Sequence, residues 1–417
     1  MNKLGVIIAL LATFACSPKL QQYFCTIQDV QRPPADMTFE KTQPRGAGSC
    51  FDHLSYIPDA NHLEDTPMKY LRVNFHWMNT TDSTRNYTDN QAINFTYKLL
   101  EAINDDLADN KRSWLPHNNN NPVLPTLYRF RLTPRGNDPS DTGIYFHFDD
   151  ELSLYVHKGA NANIHDRRVI NTYGVQLDSV LNIFIMPHHP DSVASPTYGA
   201  YGVGVALGNA VKAAGMFENG GEARGYRGIF NHEVGHIFGL SHTWAFDDGC
   251  DDTPRHPNNC WTWTPEPPCD TLASNNVMDY NAQQNAWTAC QIGRIHWRMA
   301  QEHAGPRKLL QPNWCRLHDD RHIQIRDTVE WRGAKDLEGH LTILSGAMLK
   351  INCRVALPAF AKITVQPGAT LVLDEHARLH NACGERWEGI EIQQLGNQKG
   401  QVIFIGSPKI EHAIHAL

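Results

Sequence analysis

The sequence contains ten cysteines but no CxxC pair, which argues against a zinc site built from paired thiolates. Beyond its first residues it has no apolar run long enough for a membrane-spanning helix. Charge of one sign is also scarce: 37 Lys and Arg stand against 44 Asp and Glu, for a net charge of -7. Such a mild balance argues against a nucleic-acid partner. What remains is an ordinary globular composition, and 417 residues are enough for two or three domains.

The first residues differ from the rest. Lys3 supplies a minimal positive region, Leu4 to Leu11 is apolar but too short to span a bilayer, and small residues lead on to Cys16. Residues 1–15 therefore read as a secretory signal. Two endings are open. A peptidase could cut after Ala15, with Thr13 and Ala15 in the small-residue positions. Alternatively Cys16 carries lipid and attaches the protein to an outer membrane, since the stretch resembles a bacterial lipoprotein box, with Phe14 departing from the usual small residue. Export makes the later cysteines disulfide candidates.

Residues 16–67 are polar, hold Pro33-Pro34 and Gly46-Ala47-Gly48, and show no sustained period, as expected of a linker or pro-segment. From Met68 the texture changes. Lys69 to Met78 alternates as a half-buried strand does, and Ile93, Tyr97, Leu100, Ile103 and Leu107 fall at helical spacing. Leu127–Leu132, Ile144–Phe148 and the more apolar Val180–Met186 read as strands. Strand, helix, strands and a helix bearing the chemistry make an α+β plan for residues 68–312.

After about residue 320 the helical signal vanishes. Short β runs (Leu341–Ile351, Ala361–Val365, Thr370–Leu373, Gly389–Ile392, Val402–Ile405) are separated by Gly, Pro or Asn. Gly346-Ala347-Met348-Leu349 is echoed by Gly368-Ala369-Thr370-Leu371, and Trp331-Arg332-Gly333-Ala334 by Trp387-Glu388-Gly389-Ile390. This spacing predicts an all-β domain over 320–417, a parallel β-helix with a β-sandwich as the alternative.

The decisive segment is Phe230 to Thr243, FNHEVGHIFGLSHT. Residues four apart on a helix are offset by roughly 40° around the axis, so His232 and His236 share a face. Two imidazoles there can bind one Zn²⁺, and Glu233 lies beside the first, near enough to take a proton from a metal-bound water. Gly239 can adopt the left-handed conformation that ends a helix and turns the chain. The turn would bring His242 back as third ligand. The full pattern arises by chance in about one chain in several thousand. The competing reading is an amphipathic core helix with exposed histidines.

HEVGHIFGLSH resembles the HExxHxxGxxH signature of the metzincin zinc peptidases. Asn276-Val277-Met278-Asp279-Tyr280 is similar to that clan's methionine turn, which implies Met278 as the floor of the site and Tyr280 as a catalytic residue bonding the oxyanion. Within the clan the likeness is to pappalysins, carried by Gly239 to Trp244, Gly249-Cys250, Asp252-Thr253-Pro254 and the Met-Asp-Tyr turn, over about residues 68–312. The family's calcium-binding spacing is shortened here. A calcium site at Asp251, Asp252 and Thr253 therefore competes with a plain turn capped by Pro254.

The resemblance implies a secreted zinc endopeptidase acting on protein or peptide substrates, with Glu233 as general base and pocket walls from the methionine turn and Trp287. A surface adhesion or scaffold protein with a metal-binding domain is the rival. A pseudo-enzyme of that kind would be expected to lose Glu233, which is present. Another zinc hydrolase, such as an amidase, fits the ligands alone. Analogy with pappalysins also implies bridges Cys250–Cys269 and Cys260–Cys290. Cys353 and Cys383 form a further candidate pair. For Cys25 and Cys50 a mutual disulfide is expected, against a latency switch in which the Cys50 thiolate occupies the zinc.

Overall fold

A computed structural model describes residues 19–33, 49–82, 86–136, 138–219, 221–245 and 247–415. The expected secretory signal, Cys16 and the Gly46-Ala47-Gly48 stretch lie outside these residues. Among those described, no helix is long and apolar enough to cross a membrane.

The first half is built on one mixed sheet. Its order is Tyr128–Leu132, Lys69–Asn79, Leu181–Met186, Ala210–Ala214 and Val203–Ala206, with Ile144–Phe148 also paired to Lys69–Asn79. All pairs are parallel except the last, in which Val203–Ala206 runs antiparallel along the edge. Lys69–Asn79 is central rather than half-buried. Strands flank it on both sides, and Leu71, Val73, Phe75, Trp77 and Met78 are all buried. The edge pair from Val203 to Ala214 gave no alternating signal, because its residues are mostly small.

The helix Asp89–Ala108 packs on this sheet, but its inner face is not the expected one. Ala92, Phe95, Leu99 and Ala102 are buried along with Ile103 and Leu107, whereas Tyr97 is exposed. The two candidate rows share their last members, and Thr96 selects between them by accepting the indole N–H of Trp77 at 3.0 Å. Beneath the site runs the helix Ala289–Ala300. Thr288 caps it, accepting from Gln291 N while the Gln291 side chain accepts from Thr288 N.

The second half carries three parallel sheets, each taking one strand from every repeat. One holds Ile323–Ile325, Leu341–Ile343, Lys362–Val365 and Gly389–Leu395. The second holds Thr328–Trp331, Met348–Ile351, Thr370–Leu373 and Gln401–Phe404. The third holds Lys335–Asp336, Arg354–Ala356, Arg378–His380 and Lys409–Ile410. Leu349 faces Leu371 in register, so the Gly-Ala-Met-Leu and Gly-Ala-Thr-Leu echoes stack. Gly346 (φ +84°) and Gly368 (φ +78°) turn equivalent corners. This corner splits the long run expected over Leu341–Ile351 into two strands. The Trp331 and Trp387 echo does not stack, since Trp331 faces Ile351 while Trp387 bridges to Ala413.

Residues expected in a linker or pro-segment are part of this half. Leu20–Phe24 runs antiparallel to Gly389–Leu395, Val30–Gln31 parallel to Gln401–Phe404, and Cys25 is a free, buried thiol in that core. One disulfide and a buried ion cluster join the halves, and a second disulfide ties the segment before Met68 to the repeats. Cys50 bonds Cys353 and Cys315 bonds Cys383, which replaces both the expected Cys25–Cys50 bridge and the Cys353–Cys383 pair. Asp336 accepts from Arg307 at 2.7 and 2.9 Å and from Arg354 at 2.6 Å. Burial opposes its charge, but Arg354, Arg307 and Lys69 together hold the carboxyl well below the usual range.

Candidate metal centre

The helix Arg227–Ile237 brings His232, Glu233 and His236 to the sheet edge. It ends where the motif requires. Leu240 N donates to Gly235 O at 3.0 Å, Gly239 N donates to His236 O at 2.9 Å, and Gly239 has φ +83°. These paired bonds around a left-handed glycine make a Schellman stop, and the reversed chain returns His242 to the helix face.

The three imidazoles converge. Each pair of Nε2 atoms among His232, His236 and His242 is 3.1 Å apart. His232 Nδ1 donates to Val277 O at 2.7 Å and His236 Nδ1 to Leu240 O at 2.9 Å. With Nδ1 protonated, the neutral ring presents a lone pair at Nε2. Two lone pairs cannot bond each other, and His242 could donate to only one of them. The donor set therefore fits a cation at its centre, at the roughly 2.0–2.1 Å typical of zinc–imidazole bonds. Burial and the neighbouring rings keep the imidazoles neutral, His232 lowered to about 3 and His242 to about 4.

Glu233 is buried next to this triangle. Desolvation pushes its carboxyl up to about 7, against the pull of a hydrogen bond from the Ala206 backbone. It packs on the edge strand, where Gly204 leaves room for it. Tyr280 is half exposed, its ring 5.1 Å from that of His242 and 5.8 Å from that of His232, centroid to centroid. Trp244 stacks on His242 at 4.2 Å. Met278 is fully buried beneath Gly235, whose position a Cβ could not share with the methionine sulfur. Trp287 is not a pocket wall. It is buried below the same glycine, 3.1 Å from where that Cβ would stand.

Several supporting residues escaped the sequence reading. Asp279 accepts from Thr243, from Ser274 and from His256 Nε2, the last at 3.0 Å. This fully buried carboxylate ties the residue after His242 to the methionine turn. Gln284 Nε2 donates to Val277 O and Asp279 O at 3.3 and 3.0 Å, fixing the carbonyl that orients His232. Thr243 and Asp279 each adjoin a recognised site residue, and that adjacency was the available signal. His256 gave none.

The Asp251–Thr253 turn is already committed. Asp252 accepts from Thr288 Oγ1 at 2.7 Å and from Cys290 N at 3.0 Å, and Thr253 donates to Asp248 at 2.8 Å. Among the described residues, the groups able to hold a metal are the three histidines and His53 with Cys250 and Cys290. The calcium reading thus has no support. In the second group the sulfurs are joined to each other. Cys250 bonds Cys290, and Cys260 bonds Cys269, correcting the expected Cys250–Cys269 and Cys260–Cys290. The cause is local, because Asp252 caps the helix that begins at Ala289 and so seats Cys250 against Cys290. Cys50, the candidate thiol of the alternative latency switch, is likewise held as a disulfide, with Cys353.

The peptidase family M43, described as pregnancy-associated plasma protein-A, matches residues 216–300. No curated protein matches the chain. Solved structures similar to it include mirolysin in complex with compound 9, at 20% identity and TM-score 0.41, over 58% of this chain and 96% of that one. Tannerella forsythia mature mirolysin in complex with a cleaved peptide has 20% identity and TM-score 0.38 over the same shares. A Tannerella forsythia promirolysin mutant has 18% identity and TM-score 0.41, over 62% of this chain and 91% of that one. Between Met216 and Ala300, then, the chain is similar to the pappalysin-type metzincin peptidases.

Proposed function

We propose that this protein is a secreted zinc-dependent endopeptidase, with residues 68–312 as its catalytic domain. The observation that carries the reading is the convergence of three Nε2 atoms, each 3.1 Å from the others, with two Nδ1 atoms committed to backbone carbonyls. His232, His236 and His242 are the ligands. Bound there, Zn²⁺ would polarise the scissile carbonyl and acidify the attacking water. Glu233 takes the proton from that water and returns it to the leaving amine. Tyr280, exposed at the rim, donates its hydroxyl to the oxygen that gains charge. Among the described residues, no strand pairs with the outer side of the edge strand Val203–Ala206, so an extended peptide can align along it beside Glu233. Four disulfides among the described residues favour an oxidising, extracellular destination.

The same reading takes the C-terminal repeat as a parallel β-helix, supported by in-register pairing between successive repeats on three faces. It gives the protease a rigid appendage of the kind the adhesion alternative invokes.

The test separates metal binding from chemistry. Glu233→Ala is expected to keep one zinc per chain by elemental analysis and to lose peptide cleavage by about 10³-fold or more. His236→Ala is expected to lose both. Unchanged cleavage by metal-loaded Glu233→Ala would overturn the mechanism.

A further inference from the structure

Of the ten tryptophans in the chain, only Trp261 and Trp263 are exposed, at 65% and 52%. Neither contributes to the core, and neither has a part in the chemistry above. Each leaves uncovered much of the roughly 150–250 Å² that a large aromatic side chain can bury.

Their loop is nevertheless held firmly. Cys260–Cys269 closes it, and Pro265, Pro267 and Pro268 restrict its backbone. Trp261 O accepts from Ala282 N at 2.8 Å, and Thr262 Oγ1 accepts from Gln283 Nε2 at 3.3 Å. The Trp263 indole donates to Asp270 O at 3.2 Å. Ala282 lies two residues beyond Tyr280, so the loop is fastened to the segment that forms the wall of the metal centre. Rigid aromatics displayed on an ordered frame lose little entropy on binding, which is why they dominate binding hot spots.

We propose that Trp261 and Trp263 form a docking platform for the polypeptide substrate, gripping apolar or aromatic side chains of an extended chain outside the bond that is cut. This rests on the peptidase reading. Two facts favour the substrate chain over a second copy of the protein. The loop is hydrogen-bonded through Ala282 to the segment that carries Tyr280 at the metal centre. In addition, two tryptophans supply at most about 500 Å², short of the roughly 800 Å² per partner found in stable protein pairs.

The experiment compares the full-length zinc-loaded protein with Trp261→Ser/Trp263→Ser on two substrates. One is a short peptide limited to the cleaved bond and its immediate neighbours, the other an unfolded protein such as casein. The expected result is a rise of about tenfold in KM for casein with kcat unchanged, and no change for the short peptide. Trp261→Phe/Trp263→Phe should restore most of the casein affinity, which a merely misfolded loop would not allow. Equal loss on both substrates, or no loss on casein, overturns the platform. Binding of casein to Glu233→Ala, with and without the serine changes, reads the platform without turnover. If that binding depends on the tryptophans while wild type cuts nothing, the peptidase reading has failed and the platform has not. Tryptophan-dependent self-association, or tryptophan-dependent binding of oligosaccharides with casein binding unaffected, would overturn the proposal in favour of those occupants.

Discussion

A Cβ placed on Gly204 would stand 2.7 Å from Cγ of Glu233. The edge strand and Glu233 are therefore in direct contact, and the strand carries no side chain where they meet. Gly204→Ala is expected to push Glu233 aside. A displacement of about 1 Å can cost roughly 10² in rate, so kcat should fall about a hundredfold with zinc content unchanged. Overpacking should also lower stability by about 1–3 kcal/mol. Kinetics and metal analysis on one preparation check both.

The disulfide pattern can be read directly. Non-reducing digestion and mass spectrometry should recover Cys50–Cys353, Cys250–Cys290, Cys260–Cys269 and Cys315–Cys383, with Cys25 alkylated only after unfolding. A Cys250–Cys269 peptide would contradict the seating of Cys250 against the capped helix.

Asp336 is the shared anion of the junction between the halves. Replacing it by alanine leaves Arg307 and Arg354 buried without their partner, a change that costs about 3–5 kcal/mol in comparable sites. Urea titration should register the loss, and the variant should open the junction before the sheets themselves unfold.

Acid sensitivity should come partly from His296. It is buried, with Nε2 bonded to Thr126 O at 2.8 Å, and desolvation lowers it from 6.5 to about 4. Below pH 6.5 the unfolded chain takes up a proton that the folded chain refuses, so stability declines from about pH 6.5 down to about 4 and this contribution then levels off. His296→Gln can keep a donor for Thr126 O but does not titrate. The variant should show a shallower decline over that window in stability measured against pH.

The chemistry was more legible than the scaffold. His232, His236, Gly239 and His242 interact through a helix and one turn, and local spacing suffices to bring them together. Disulfide partners are set instead by tertiary packing. Cys50 and Cys353 are 303 residues apart, and no local pattern couples them. The inner face of Asp89–Ala108 was misjudged because Ile103 and Leu107 belong to both candidate rows, and Trp77 on a distant strand decides between them. The small residues of Val203–Ala214 hid the edge strand, although smallness is what lets Glu233 approach it. Leu20–Phe24 was missed because its sheet partners come from the far end of the sequence.

That last pairing bears on how the protein is made. Asp29 meets Lys399 at 2.7 Å across 370 residues, and Leu20–Phe24 seats on a strand ending at Leu395. A ribosome delivers the early strands long before their partners, at roughly 5–20 residues per second. For most of synthesis, Tyr23 and Cys25 wait beside a stack that does not yet exist. Docking them must therefore wait until the strand Gly389–Leu395 has been made. Until it happens, the strand Gly389–Leu395 keeps an open edge able to pair with another nascent chain.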